Sequence, residues 1–78
     1  MEGELQRSFG LSLRRHRELR GWSQEDLAEV LGMHRTYVGG VERGERNLTL
    51  RSVERIADAL ELDVVNMLKS RSKGSRPR

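Results

Sequence analysis

The chain contains no cysteine and only one proline, and it has a single residue each of Trp, Tyr and Phe. Without cysteine it can form neither disulfides nor thiolate metal sites. No apolar run approaches the roughly 20 residues that a helix needs to cross a bilayer. The first residues, Met1-Glu2-Gly3-Glu4, are acidic where a signal peptide is basic. We therefore expect a cytoplasmic protein with no membrane association.

Residues for common kinds of catalysis are also missing. The chain has no cysteine nucleophile, no His-Glu-x-x-His run and no glycine-rich phosphate loop after a strand. Its two histidines, His16 and His34, do not form a metal-binding pattern, and His16 fits better as a core or rim residue of a helix. The sequence predicts a protein that is not an enzyme, and it implies no metal, no cofactor and no small-molecule ligand.

The charge is distributed unevenly along the 78 residues, a length that suits one small domain. The net charge of +3 comes from 15 basic and 12 acidic residues. Five of the basic residues lie in the last ten positions, which leaves 10 basic and 12 acidic residues in 1–68. We therefore predict a domain over 1–68 and a basic flexible tail over 69–78, whose charge adds weak, salt-sensitive attraction to phosphates.

Apolar residues at helical spacing predict an all-α fold of five helices. The first lies between Leu5 and Arg20, and its inner side carries a stripe of four apolar residues. These are Leu5, Phe9, Leu13 and Leu19. The second begins after Ser23, which is followed three residues later by Asp26, and it ends at Gly32.

The remaining helices follow from the same signals. The third is predicted over 35–43, with Val38 and Val41 inward and Gly44 as its stop. Thr49 is the expected N-cap of the fourth, and Asp63 of a short fifth. The inner stripe of the fourth helix comprises Leu50, Val53, Ile56, Ala57 and Leu60.

The second and third helices, joined by a tight turn with glycine, have the plan of a helix-turn-helix DNA reader. Winding the third helix at about 100° per residue places its outer face opposite Val38 and Val41. That face comprises Thr36, Gly39, Gly40 and Arg43. Each interior glycine costs about 1 kcal/mol relative to alanine, so the pair indicates bare backbone that approaches the major groove. A close helix crossing within the protein is the alternative explanation.

The side chains around this face suit DNA contacts. Arg35 can donate a bidentate pair of hydrogen bonds to guanine, and Thr36 can contact thymine, a base edge or a phosphate. Tyr37 and Arg43 lie toward the edges and suit phosphates, as does Gln24 in the first turn of the second helix. Arg35 and Arg43 are equally compatible with solvated helix-end charges, and Tyr37 with a core position.

Several motifs resemble those of the Cro/repressor-type (Xre) helix-turn-helix family over residues 9–68. They are Trp22-Ser23-Gln24-Glu25-Asp26-Leu27-Ala28, Leu31-Gly32, Val41-Glu42-Arg43-Gly44 and Ile56-Ala57-Asp58-Ala59-Leu60. The stretch from His34 to Thr49 resembles the recognition region of the controller proteins of restriction-modification systems. The resemblance implies a stand-alone homodimer that binds a palindromic operator in double-stranded DNA and regulates transcription.

By position, the resemblance implies base contacts and contacts to the DNA backbone or nearby bases. The base contacts are assigned to Arg35 and Thr36, and the others to Gln24, Tyr37, Arg43, Arg46 and Asn47. The resemblance also implies an internal ion pair between Arg17 and Glu42, and helical winding places Glu42 toward the protein side of the third helix.

Three residues depart from the family's pattern. His16 replaces the usual aliphatic residue and introduces pH-dependent stability. His34 occupies the expected N-cap of the third helix. Gly39 stands where controllers often have serine, so it lacks any hydrogen bond that a side chain there would make.

Surplus apolar residues near the end of the domain indicate a dimer interface, because one recognition helix reads only a few base pairs. The candidates are Leu62, Val64, Val65, Met67 and Leu68. The same residues could instead close the core of the monomer. An antitoxin of a toxin-antitoxin pair and a phage-type repressor are the alternative functions for this fold.

Overall fold

A computed structural model describes residues 3–68 as five α-helices, without a strand in that range. The helices are α1 (Glu4–Leu19), α2 (Gln24–Leu31), α3 (Arg35–Glu42), α4 (Leu50–Leu60) and α5 (Val64–Leu68). α1 packs against α3 and α5, and α2 packs against α3 and α4. The predicted all-α, five-helix architecture is confirmed, whereas the predicted basic tail over 69–78 lies outside the described residues. None of the helices described is long and apolar enough to cross a membrane.

Local capping fixes the two helices of the helix-turn-helix and the turn between them. The Ser23 hydroxyl accepts from the Asp26 backbone N–H at 3.0 Å, and the Asp26 carboxylate accepts from the Ser23 N–H at 2.9 Å. This reciprocal box starts α2. Gly32 ends α2 with φ 68°, a left-handed conformation that glycine adopts without strain. His34 then starts α3, because its Nδ1 accepts from the Thr36 N–H at 3.1 Å.

The core is one cluster that draws on all five helices and on the loop between α3 and α4. Its buried apolar members are Phe9, Leu13, Leu27, Ala28, Leu31, Val38, Val41, Leu48, Val53, Ile56, Ala57, Leu60 and Met67. Leu48 belongs to the loop and is 1% exposed, so it anchors the chain between α3 and α4. Burial of apolar surface from every element holds α3 against the rest of the domain.

Three leucines predicted to face inward are exposed, so this prediction is wrong. Leu5 and Leu50 lie in the first turns of α1 and α4, where periodicity specifies a direction around the helix but not a neighbour that covers it. Leu19 is 76% exposed. At about 100° per residue it lies well around α1 from the buried Leu13.

Gly10 allows α1 and α3 to cross closely. A Cβ built on Gly10 would collide with the Val41 carbonyl oxygen and lie 2.8 Å from that of Glu42. The close helix crossing that was the alternative explanation for Gly39 and Gly40 therefore occurs at Gly10 instead. Because the opposing atoms belong to the backbone, no side-chain rotation can relieve the contact.

His16 is expected to make stability depend on pH. It is half-buried on α1, and burial, followed by the charges of Arg20 and Arg15, lowers its pKa from the ordinary 6.5. The unfolded chain therefore binds a proton at higher pH than the folded chain does. Stability is full above about pH 6.5 and falls as the pH drops through the lowered pKa. Urea unfolding from about pH 7 to pH 5 should show a shallower decline for His16→Gln than for the wild type, and equal declines would contradict this role.

Candidate nucleic-acid interface

The beginnings of α2 and α3 form one open surface. Arg35 and Thr36 are exposed in the first turn of α3, which the His34 cap orients. A groove of about 340 Å³ separates them from the start of α2. The polar side chains lining it are Ser23, Gln24, Glu25, Arg35, Thr36 and Arg43. Gly39 also lines it, so the structure brings five of the residues predicted to bind DNA to one groove, which we call the α2–α3 groove.

The two arginines of the α2–α3 groove are held by exposed carboxylates. Arg35 Nη1 lies 3.5 Å from Glu25 Oε2, and Arg43 Nε lies 3.1 Å from Glu45 Oε1. All four side chains are more than half exposed. Ion pairs of this kind contribute only about 0 to 1 kcal/mol. A base edge or phosphate can therefore replace either carboxylate at small cost.

A buried ion pair lies directly beneath this surface. Arg17 Nε and Nη2 donate to the two carboxylate oxygens of Glu42 at 2.7 and 3.1 Å. The Glu42 side chain is only 2% exposed. Arg17 also donates through Nη1 to the Trp22 carbonyl at 2.9 Å, and its hydrogen bond to Glu42 raises the pKa of Arg17. The pair joins α1 to the last residue of α3 and to the segment that leads into α2.

Gln24 links this pair to the surface. Its Nε2 donates to Glu42 Oε1 at 3.1 Å, so the first residue of α2 is tied to the last residue of α3. An amide nitrogen carries two N–H donors. Gln24 can therefore hold Glu42 and bind a phosphate at the same time, which suits its half-buried position.

The prediction that Gly39 and Gly40 present uncovered backbone is wrong, although Gly39 does line the α2–α3 groove. Both residues are buried. A Cβ on Gly39 would meet Arg43 Nη1 at 3.1 Å and Gln24 Oε1 at 3.3 Å, and one on Gly40 would meet Arg46 Cγ at 3.0 Å. Long polar side chains of the same chain lie over the two glycines, and these side chains form the outermost layer of the surface.

Tyr37, Arg46 and Asn47 form a second region, outside the α2–α3 groove. Tyr37 is half-buried and packs against the core, while Arg46 and Asn47 are exposed in the loop after α3. The Arg46 guanidinium carbon lies 5.2 Å from the centroid of the Tyr37 ring, a cation–π distance. Tyr37 is thus partly a core residue and partly a platform for Arg46.

Two arginines of α1 that were not predicted as site residues also approach the surface. A groove of about 670 Å³ between α1 and α3 is lined by Arg7 and Arg14 as well as by Arg17, Gln24 and Arg43. Arg7 and Arg14 are seven residues apart and so share one helix face. That spacing is the signal by which the sequence could have placed them together.

The candidate interface residues of α5 separate into two groups. Met67 is 2% exposed and belongs to the core, so its assignment to an intersubunit surface is wrong: it fills the monomer. Leu62, Val64 and Leu68 are half-buried against the core, and Val65 is 58% exposed. Val65 is therefore the most exposed apolar residue of this group.

Comparison with known proteins identifies similar chains. The helix-turn-helix family model matches residues 13–65. Control protein C.SmaI of Serratia marcescens is 47% identical over 57 residues, covering 73% of this chain and 68% of that protein. Control protein C.BamHI of Bacillus amyloliquefaciens is 36% identical over 69 residues, covering 87% and 85%. The crystal structure of the restriction-modification controller protein C.AhdI from Aeromonas hydrophila superposes with a TM-score of 0.68 at 44% identity, covering 78% and 92%.

Proposed function

The chain belongs to the helix-turn-helix family, and we propose that it is a sequence-specific transcription regulator that binds double-stranded DNA, as the controller of a restriction-modification system. The observation that carries the proposal is the α2–α3 groove, where Arg35 and Thr36 stand exposed beside Gln24 and Arg43. Its similarity to control proteins supports the controller role. In that role it would regulate its own gene and the endonuclease gene.

In the proposed complex, the first turn of α3 enters the major groove. Arg35 donates to O6 and N7 of a guanine, and Thr36 contacts a neighbouring base. Phosphate contacts position the protein without reading sequence. Candidates for these are Gln24 on α2, Tyr37 on α3, Arg43 at the end of α3, and Arg46 and Asn47 in the following loop. Gly39 and Gly40 are proposed to contribute through the side chains of Gln24, Arg43 and Arg46 that cover them.

The operator is proposed to be palindromic and the protein a homodimer. One short recognition helix reads few base pairs, so two copies about 34 Å apart are needed for useful discrimination. Val65 supports a contact between copies, because its exposed apolar side chain lies on α5 beside half-buried Leu62, Val64 and Leu68. A two-fold dimer would bury the same patch from both subunits.

Footprinting on the DNA just upstream of the protein's own gene tests the proposed function. We expect two protected half-sites separated by about one helical turn, and we expect affinity to fall steeply with salt concentration as phosphates are neutralised. A scrambled duplex of the same length and base composition is the control. Equal binding to both duplexes, or binding that does not respond to salt, would contradict the proposal.

Arg35→Ala should reduce operator affinity by about 1 to 3 kcal/mol and relax preference at one base position in each half-site. The reason is that, in the proposed complex, the Arg35 guanidinium donates both hydrogen bonds to one guanine edge. The measurement is fluorescence anisotropy on the operator and on single-base variants of it. Arg15→Ala, at an exposed position on α1, is the matched control and should bind as the wild type does. Uniform weakening on every sequence would show that Arg35 contacts phosphate instead.

Val65→Asp should shift the protein from dimer to monomer, because it places a charge in the proposed apolar contact. Sedimentation at several protein concentrations measures the change. Val30→Asp is a matched control, since Val30 is 47% exposed on α2, away from this patch. Dimers of unchanged strength in Val65→Asp would remove α5 from the interface.

A further inference from the structure

We propose that Gly40 is a positioning residue that seats the side chain of Arg46 against Tyr37 and so presents its guanidinium to DNA in a defined orientation. The inference rests on the proposed DNA-binding function and assigns Gly40 a part in it. Gly40 itself would touch no nucleotide. Its contribution is the space that the missing Cβ leaves for Arg46.

The contact between the two residues extends along the arginine side chain. A Cβ on Gly40 would lie 3.0 Å from Arg46 Cγ, 3.1 Å from Nε and 3.5 Å from Cδ. All three of these nearest atoms belong to Arg46. The aliphatic part of Arg46 therefore rests on the bare backbone of α3, and a Cβ at position 40 would push it outward by a few tenths of an ångström.

Tyr37 forms the other contact that holds the Arg46 side chain. It lies three residues before Gly40 and so shares one side of α3 with it. The Arg46 guanidinium carbon is 5.2 Å from the Tyr37 ring centroid. Because the Tyr37 ring packs against the core, it is a fixed platform. Arg46 is thus held between a glycine and an aromatic ring on the same helix.

The backbone of Gly40 also anchors the loop that carries Arg46. Its carbonyl accepts from the Glu45 N–H at 2.8 Å, one residue before Arg46. Gly44 turns the chain toward this contact with φ 75°. The loop therefore delivers Arg46 to the point where position 40 has no side chain. This arrangement accounts for a glycine inside α3, where alanine would favour the helix.

Seating Arg46 in advance has a consequence for binding. An arginine side chain loses rotamer freedom when it is fixed in a complex, and ordering it beforehand reduces that loss. Two explanations for Gly40 then differ in what they predict. If Gly40 makes room for Arg46, its effect on binding depends on Arg46. If it makes room for DNA, its effect is independent of Arg46.

A double-mutant cycle separates these explanations. We expect Gly40→Ala to keep the helical signal and to weaken operator binding by up to about tenfold, the cost of ordering one arginine side chain on binding. In an Arg46→Ala background, the same substitution should have no further effect, because the side chain it displaces is gone. If Gly40→Ala weakens binding equally in both backgrounds, or in neither, Gly40 does not act by positioning Arg46.

An NMR measurement without DNA tests the seat separately from the proposed function. The Tyr37 ring should shift the Arg46 δ-proton and Nε–H resonances, and Gly40→Ala should move them toward their positions in Tyr37→Leu. Unchanged Arg46 resonances in Gly40→Ala would show that Gly40 does not position Arg46.

A second outcome concerns binding. If the resonances move but Arg46→Ala binds the operator as the wild type does, Gly40 positions Arg46 without any effect on DNA binding. The role assigned to Gly40 is then wrong. Failure of the wild type to prefer its operator would instead reject the proposed function.

Discussion

Replacing Glu42 with alanine is expected to lower the free energy of unfolding by about 3 to 5 kcal/mol. The substitution removes the partner of a largely buried guanidinium: the Arg17 side chain is 14% exposed and donates two hydrogen bonds to Glu42. Gln24 loses its acceptor as well. A domain of this size has only about 4 to 12 kcal/mol of stability, so Glu42→Ala should be close to unfolding at ambient temperature.

Urea unfolding monitored by circular dichroism measures this loss of stability. Two further variants test whether it arises from the unpaired buried charge. Arg17→Met combined with Glu42→Leu should recover much of the stability, because replacing both partners leaves no buried charge unpaired. Arg14→Met is the matched control. It removes an arginine from an exposed pair with Glu18 at 3.0 Å and should cost less than about 1 kcal/mol. A Glu42→Ala protein as stable as Arg14→Met would show that the buried pair is unimportant.

Gly10→Ala is expected to destabilise the domain by about 3 kcal/mol, the upper part of the range for overpacking. The new Cβ would meet the Val41 carbonyl oxygen, the Glu42 carbonyl oxygen at 2.8 Å and the Glu42 carbonyl carbon at 3.0 Å. These atoms belong to the last turn of α3, so relief requires α1 and α3 to move apart. That movement would also disturb the α2–α3 groove.

Gly40→Ala is the natural control for this prediction. It makes the same change inside a helix, but its Cβ meets a flexible arginine side chain that can move away. Thermal unfolding should therefore show a large decrease in melting temperature for Gly10→Ala and none for Gly40→Ala, since alanine favours the helix. If both variants melt with the wild type, the crossing of α1 and α3 has more space than the structure indicates.

The parts of the fold that the sequence predicts well are those set by neighbouring residues. Ser23, Gly32 and Thr49 mark helix ends because capping depends on the hydroxyl or the φ angle of one residue. Exposure of the leucines at the starts of α1 and α4 was not predictable in this way. It depends on where other helices end, which local periodicity does not encode.

In the candidate site, too, local patterns predict some features, whereas others depend on how distant segments pack. Winding α3 places Thr36 on its outer face with Arg35 beside that face, and both residues are exposed. The arrangement of Arg46 over Gly40 depends on the path of the loop, and the crossing at Gly10 depends on how two distant helices meet. Both glycine assignments therefore required coordinates. The Arg17–Glu42 contact spans 25 positions, and it was suggested by family resemblance rather than by local pattern.

One carboxylate at the end of α3 accepts hydrogen bonds from both α1 and α2. In the proposed complex, the distance between Arg35 at a base and Gln24 at a phosphate would therefore be set within the protein interior. The protein then needs little internal rearrangement when it meets the operator DNA. We expect association with the operator to proceed at a rate governed by diffusion and long-range attraction, with differences among operators expressed mainly in how long each complex survives.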